Sequence, residues 1–131
     1  MRPIFQSLWN NYPTTLAPCN NGWDNQCAIR LSIALQKSGL SLAGYGDPTC
    51  GHGNARGAES LANFLWINIG AAFKYTNPNQ NVVTGRSGII FFKDLAGFRG
   101  GNGDHIDLWN VSKTKTGAYF QSCREVWFWP L

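Results

Sequence analysis

The stretch Gly22-Trp23-Asp24-Asn25-Gln26-Cys27-Ala28-Ile29-Arg30-Leu31-Ser32-Ile33-Ala34-Leu35 decides how the chain reads. A loop rich in turn formers ends there and an apolar-periodic helix begins. Asp24 or Asn25 supplies a cap, because their side-chain oxygens accept hydrogen bonds from the first backbone N–H groups. Cys27 then falls in the first turn, where the helix dipole and unpaired amides favour negative charge. The thiolate is the reactive form of cysteine, and a helix N-terminus is one of the few settings that stabilise it. Ile29, Ile33, Ala34 and Lys37 follow one stripe, and Leu31 and Leu35 widen it. A helix apolar over most of its circumference is buried and central. It is expected to run to about Ser38, with Gly39 as a left-handed cap.

On the N-terminal side, Ile4, Phe5, Leu8, Trp9 and Tyr12 recur at helical spacing between Pro3 and Pro13. They predict a short helix. On the C-terminal side, a Gly-rich connection spans Gly39 to Gly53, and Asn54 is expected to cap a third helix from Ala55 to about Ile69. Its stripe is Ala58, Leu61, Ala62, Leu65, Trp66 and Ile69. After the turn Asn77-Pro78-Asn79-Gln80-Asn81 the pattern changes. Gly88-Ile89-Ile90-Phe91-Phe92-Lys93 is β-branched and aromatic and predicts a buried strand. Asp104-His105-Ile106-Asp107-Leu108-Trp109-Asn110 predicts a second. A turn over Lys113 to Gly117 precedes one or two more, Ala118-Tyr119-Phe120 and Glu125-Val126-Trp127-Phe128-Trp129. Helices first and an antiparallel sheet afterwards make an α+β fold. At 131 residues, 44% of them hydrophobic and six of them Trp, the chain suits one domain with one core over 1–131.

Charged residues make up 14%, below the roughly 25% of ordinary soluble domains. The net charge of +4 fits an anionic partner such as cell-wall polymer. Without a Lys/Arg run or interleaved aromatics, the pattern points away from nucleic acid. No stretch approaches the ~18 apolar residues of a membrane span. Residues 1–9 lack the apolar centre of a signal peptide. The expectation is a chain made in the cytoplasm that leaves, if it does, by a route that reads no such signal. The four cysteines, Cys19, Cys27, Cys50 and Cys123, show no CxxC spacing, and the only histidines are His52 and His105. No zinc site and no cofactor are expected. If Cys27 stays free, either one disulfide among Cys19, Cys50 and Cys123 or a fully reduced set is open.

The chemistry rests on two residues. In strand 104–110, Ile106 and Leu108 face one way and His105, Asp107 and Trp109 the other. If the Cys27 helix packs on this sheet with its N-terminus near the strand's start, His105 reaches the sulfur. The imidazole then takes the thiol proton and later gives one to the leaving amine. Cys on an early central helix followed by His on a later strand is the layout of papain-like peptidases. The hydrolase reading requires sulfur and imidazole to meet in a groove that solvent reaches.

Several separate motifs agree on a family. Asn25-Gln26-Cys27-Ala28-Ile29-Arg30-Leu31-Ser32, His52-Gly53 with Arg56-Gly57-Ala58-Glu59-Ser60-Leu61-Ala62, Gly88-Ile89-Ile90-Phe91-Phe92, Gly103-Asp104-His105-Ile106-Asp107-Leu108-Trp109-Asn110 and Glu125-Val126-Trp127-Phe128-Trp129 occur in order. Together, from about Trp9 to Trp129, they resemble the fourth family of type VI secretion amidase effectors. The resemblance implies an NlpC-type papain-like fold and an antibacterial toxin injected into the periplasm of rival cells. It implies hydrolysis of peptidoglycan stem peptides between D-glutamate and meso-diaminopimelate. It also implies a cognate immunity protein that plugs the active site, if the source is bacterial.

Carried over, the resemblance matches the nucleophile to Cys27 and the base to His105. At the third position the chain departs, because family members place an Asp just beyond the histidine strand and Lys113-Thr114-Lys115-Thr116 has no acid. Thr116 falls near that place and orients His105 only through its hydroxyl. Asp107 is the nearest carboxylate, and Asn110 is a third option. The oxyanion donors are expected to be the Cys27 N–H plus a group from Trp23, Asn25 or Gln26. Arg30 is expected to hold an acid such as Glu59 or to meet a substrate carboxylate, and His52 is read as more structural than catalytic. Two rivals stand beside the hydrolase: a cell-wall-binding module of the same fold with weak or no turnover, and a thiol enzyme that transfers the acyl group to an amine.

Overall fold

The computed structural model describes residues 2–13, 26–50, 53–96 and 103–131. Three helices come first: α1 (Phe5–Asn11), α2 (Cys27–Lys37) and α3 (Ala58–Asn68). Five strands follow, β1 (Phe73–Thr76), β2 (Ser87–Leu95), β3 (Gly103–Asn110), β4 (Lys113–Thr114) and β5 (Glu125–Pro130), with one 3-10 turn at Gln80–Val82. The strands form one antiparallel sheet in the order β1-β5-β2-β3-β4. This is the α+β layout that the order of sequence patterns predicts.

Both faces of the sheet are covered, which explains why β2 reads as a continuous apolar run. Ile89 and Phe91 of β2, with Ile106 and Leu108 of β3, join the helix-side core with Leu31 and Leu35 of α2 and Leu61 and Leu65 of α3. Ile90, Phe92 and Trp109 point the other way and pack with Val83, Phe120, Val126 and Phe128. The predicted division of β3 into two faces is therefore observed. α2 lies between α1 and β3, and seven of its residues are buried, Cys27 among them.

The element boundaries depart from the sequence reading in four places. α3 begins at Ala58, capped by Gly57, and not at Ala55. Asn54 does not cap it: its side chain accepts from Gln36 Nε2 at 2.8 Å, and the Ala55 N–H donates to Ser32 Oγ at 3.0 Å. These bonds tie the loop to α2 and hold it out of the helix. β1 escapes the sequence reading because an edge strand is mostly exposed and carries no buried alternation. Residues 118–120 form no strand, a turn beginning at Phe120; Phe120 is apolar because it packs edge-on to Phe92 and Trp109. Lys113–Thr114, read as part of a turn, forms the short β4. The caps proposed for α2, Asp24 and Asn25, lie outside the described residues; Gln26 occupies the N-cap position. Cys50 is held in a disulfide, while Cys27 and Cys123 are not disulfide-bonded. Cys19 lies outside the described residues.

At Gly88 the β2 backbone runs so close to β5 that a Cβ would collide with the Trp129 carbonyl oxygen and lie 3.1 Å from Phe128 Cζ. Neither neighbour can retreat, since one is backbone and the other is core. Gly88→Ala is expected to destabilise the protein by about 1–3 kcal/mol, measurable as a lowered midpoint in chemical denaturation.

Candidate active site

The site is assembled where the N-terminus of α2 meets the open edge of β3. β4 pairs with β3 only at Trp109↔Thr114 and Asn110↔Lys113. Beyond that point the chain leaves the ladder, and its amides turn toward one side chain, Asp107. Oδ1 of Asp107 accepts from the N–H groups of Leu108 (2.7 Å) and Lys115 (3.1 Å). Oδ2 accepts from the N–H groups of Thr116 (3.0 Å) and Gly117 (3.3 Å) and from the Thr116 hydroxyl (2.7 Å). Asp107 is fully buried, so its charge depends on these donors for compensation.

His105 stands two residues earlier on the same strand face. Its Nε2 lies 2.8 Å from Asp107 Oδ2 and 3.2 Å from Thr116 Oγ1. The ring is stacked on Phe92, its register partner on β2, and meets Tyr119 edge-on at 5.0 Å between centroids. Carboxylate, stack and edge contact together fix the imidazole plane. With Nε2 occupied by Asp107, the ring nitrogen left for Cys27 is Nδ1, and His105 does form a hydrogen bond with the Cys27 sulfur. Burial works against a charged ring, but the bonds to Asp107 and Cys27 outweigh it and raise the His105 pKa from 6.5 to about 9. An imidazolium beside a sulfur is the electrostatic partner that a thiolate requires.

The two side chains meet, but both are buried, and the solvent-reached groove that the sequence reading requires is not seen among the described residues. Cys27 is 3% exposed and His105 8%. Cys27 opens α2, and the first amide bonded within the helix is that of Arg30, to the Gln26 carbonyl at 2.9 Å. Cys27 thus lies in the turn whose N–H groups have no acceptor inside the helix.

The remaining candidates divide. Thr116 belongs to the cluster, bonded to Asp107 and touching His105. Gln26 is buried directly before Cys27. Asn110 is not near the imidazole: it sits at the far end of β3, opposite Ser87 and Lys113. Glu59, named as a partner for Arg30, pairs instead with Lys93 at 3.3 Å. Trp23, Asn25 and His52 lie outside the described residues. Sequence reasoning missed Tyr12 and Tyr119 as neighbours of the site. Tyr12 read as core from its helical spacing, and Tyr119 was placed on a strand that does not form.

A helix that presents cysteine from its first turn to a histidine on an antiparallel sheet is the papain-like fold of the NlpC type. A family model for type VI secretion system amidase effector protein 4 matches residues 23–129. The chain belongs to that family, whose members are peptidoglycan amidases delivered to target cells by the secretion system. Among solved structures, it is similar to the effector in the Tae4–Tai4 effector–immunity complex from Enterobacter cloacae, at 23% identity and TM-score 0.80, covering 100% of this chain and 99% of that one. It is also similar to Tae4 from Salmonella typhimurium bound to the E. cloacae immunity protein Tai4, at 19% identity and TM-score 0.82, covering 99% of each chain. No curated relative matches in sequence. No helix of the described residues is long and apolar enough to cross a membrane.

The raised pKa of His105 links it to stability with a definite sign. A folded value of about 9 against an ordinary 6.5 means the charged ring contributes fully below pH 6.5, and the contribution is lost as pH rises through 9. In NMR titrations the His105 ring protons should move near pH 9, and in Asp107→Asn at a distinctly lower pH. The excess unfolding free energy of the native protein over His105→Gln should shrink across the same window.

Proposed function

We propose that the chain, acting as one catalytic domain over residues 1–131, hydrolyses the γ-D-glutamyl–meso-diaminopimelate bond of peptidoglycan stem peptides. Cys27 is the nucleophile, His105 the acid and base, and Asp107 the residue that orients the imidazole. The observation that carries this reading is the placement of His105, bonded to Cys27 on one side and to Asp107 Oδ2 at 2.8 Å on the other. The Cys27 thiolate attacks the γ-carbonyl carbon, and the developing oxyanion faces the α2 N-terminus, where the Cys27 N–H and the Gln26 amide are the candidate donors. The C–N bond breaks as His105 passes its proton to the departing diaminopimelate nitrogen, leaving a thioester on Cys27. Water then gives a proton to His105 and its oxygen to the acyl carbon, the C–S bond breaks and the thiolate returns.

Delivery to target cells by the secretion system supports action in the periplasm of those cells. The immunity partners of similar effectors support a cognate inhibitor for this chain as well. A wall-binding module without turnover was attractive only while no acid stood behind His105. The Asp107 contact removes that motive, and no observation favours acyl transfer to an amine over hydrolysis.

Purified protein incubated with Gram-negative peptidoglycan should release fragments ending in D-glutamate, and Cys27→Ala should release none, as read by mass spectrometry. Equal profiles from the two proteins would end the proposal. The alkaline limb of kcat/KM should fall near pH 9, where His105 loses its proton. Asp107→Asn should lower kcat by about 10²- to 10⁴-fold and move that limb to lower pH.

A further inference from the structure

A cavity of about 400 Å³ lies on the face of the sheet away from the helices, between the turn at residues 78–80 and the segment 118–122. Both walls are fastened to the ends of strands. The Asn77 N–H donates to the Arg124 carbonyl at 2.8 Å, and the Ser122 carbonyl accepts from the Ala96 N–H at 2.8 Å. Phe120 is buried edge-on to Phe92 and Trp109. The space is thus preformed by the fold, and it falls within the ~300–1,000 Å³ of small-ligand sites.

One wall is shared with the candidate active site. Tyr119 lines the cavity, and its ring meets the His105 imidazole edge-on at 5.0 Å and Phe92 at 5.9 Å between centroids. A Cβ on Gly117 would lie 3.0 Å from the Tyr119 hydroxyl oxygen, and the Gly117 N–H bonds Asp107 Oδ2. Residues 116–122 therefore run from the Asp107 cage to the cavity in one stretch, and Thr116 and Ala118 are exposed along it.

The lining is polar but uncharged. Asn79, Gln80, Gln121 and Ser122 supply amides and a hydroxyl, and Pro78 and Tyr119 supply flat apolar surface. Asn79 Oδ1 accepts from the Asn81 N–H at 2.9 Å, which fixes that side chain with its amide hydrogens still to donate. A ligand suited to this lining is itself neutral. It carries hydroxyl and amide groups on a ring whose C–H face rests on apolar surface. Peptidoglycan has one such part. The stem peptide around the cut bond carries carboxylates and an amine, while the N-acetylated sugar is neutral once its lactyl carboxyl is joined to the peptide. Between the cut carbonyl and that sugar stand the γ-D-glutamyl, alanyl and lactyl units, which span about 10 Å when extended. The cavity begins one aromatic ring away from His105.

We propose that this cavity binds the N-acetylated sugar to which the stem peptide is attached. Gln80 and Gln121 bond its hydroxyl and acetamido groups, and the Tyr119 ring is its apolar platform. This rests on the amidase reading above. The stem peptide then lies along 116–119, from the sugar to the Cys27–His105 pair.

The test compares wild type with the double variant Gln80→Ala/Gln121→Ala, whose altered side chains are exposed. The substrates are a disaccharide-tetrapeptide and the same tetrapeptide without sugar. Wild type should show about tenfold higher kcat/KM on the disaccharide substrate, carried mainly by KM. The double variant should lose most of that advantage and still cut the free peptide within about twofold of wild type. A second readout needs no turnover. In Cys27→Ala, titration with the disaccharide alone should move the backbone amide NMR signals of residues 79–80 and 118–122, and adding the double substitution should abolish the shifts. Equal wild-type kcat/KM on both substrates overturns the proposal. So does an equal loss by the double variant on both, or a set of amides that stays still at millimolar sugar. Wild type that cuts neither substrate overturns the amidase reading, and the titration then decides by itself whether the cavity takes the sugar.

Discussion

One buried carboxylate organises the site. Asp107 has no solvent to compensate its charge, and the protein supplies four backbone amides, one hydroxyl and one imidazole instead. Meeting that demand dictates the local fold. The chain after β4 leaves the ladder and wraps its amides around the carboxylate, and so it carries Thr116 against His105. The imidazole is then held at Nε2 and left with Nδ1 directed at Cys27. Without the Asp107 carboxylate, His105 would lack its anchor at Nε2.

The same arrangement accounts for the electrostatics. A buried histidine ordinarily loses its charge, because desolvation penalises the imidazolium. Here the bonds to Asp107 and Cys27, one on each side of the ring, reverse the outcome. Sulfur, imidazole and carboxylate form a row in which the ring is bonded on both sides.

The absence of an acid at Thr116 acquires a chemical reading from this geometry. The resemblance to related effectors leads one to expect a carboxylate from the segment after the histidine strand. In this chain the carboxylate comes from the strand itself, and the segment contributes a hydroxyl that bonds the carboxylate and touches the ring. The requirement at Nε2 is an acceptor with negative charge, and here β3 itself delivers it.

What the amino-acid order determined by itself was anything with a local period or a local chemical preference. The 3.6-residue stripes of α1 and α2 and the apolar run of β2 were legible, and so was the alternation of β3 that puts His105 and Asp107 on one face. Cys27 at a helix start was legible for the same reason. The exposed edge strand β1 was not, because it owes its form to hydrogen bonds with β5 and not to any pattern of its own. Nor was the role of Asn54, whose preference for helix caps was overridden by a partner eighteen residues earlier. The choice of Asp107 over Asn110 and Thr116 as the anchor of His105 belonged to the tertiary structure alone. It turns on which amides converge across the end of β4, and convergence in space leaves no periodic trace along the chain.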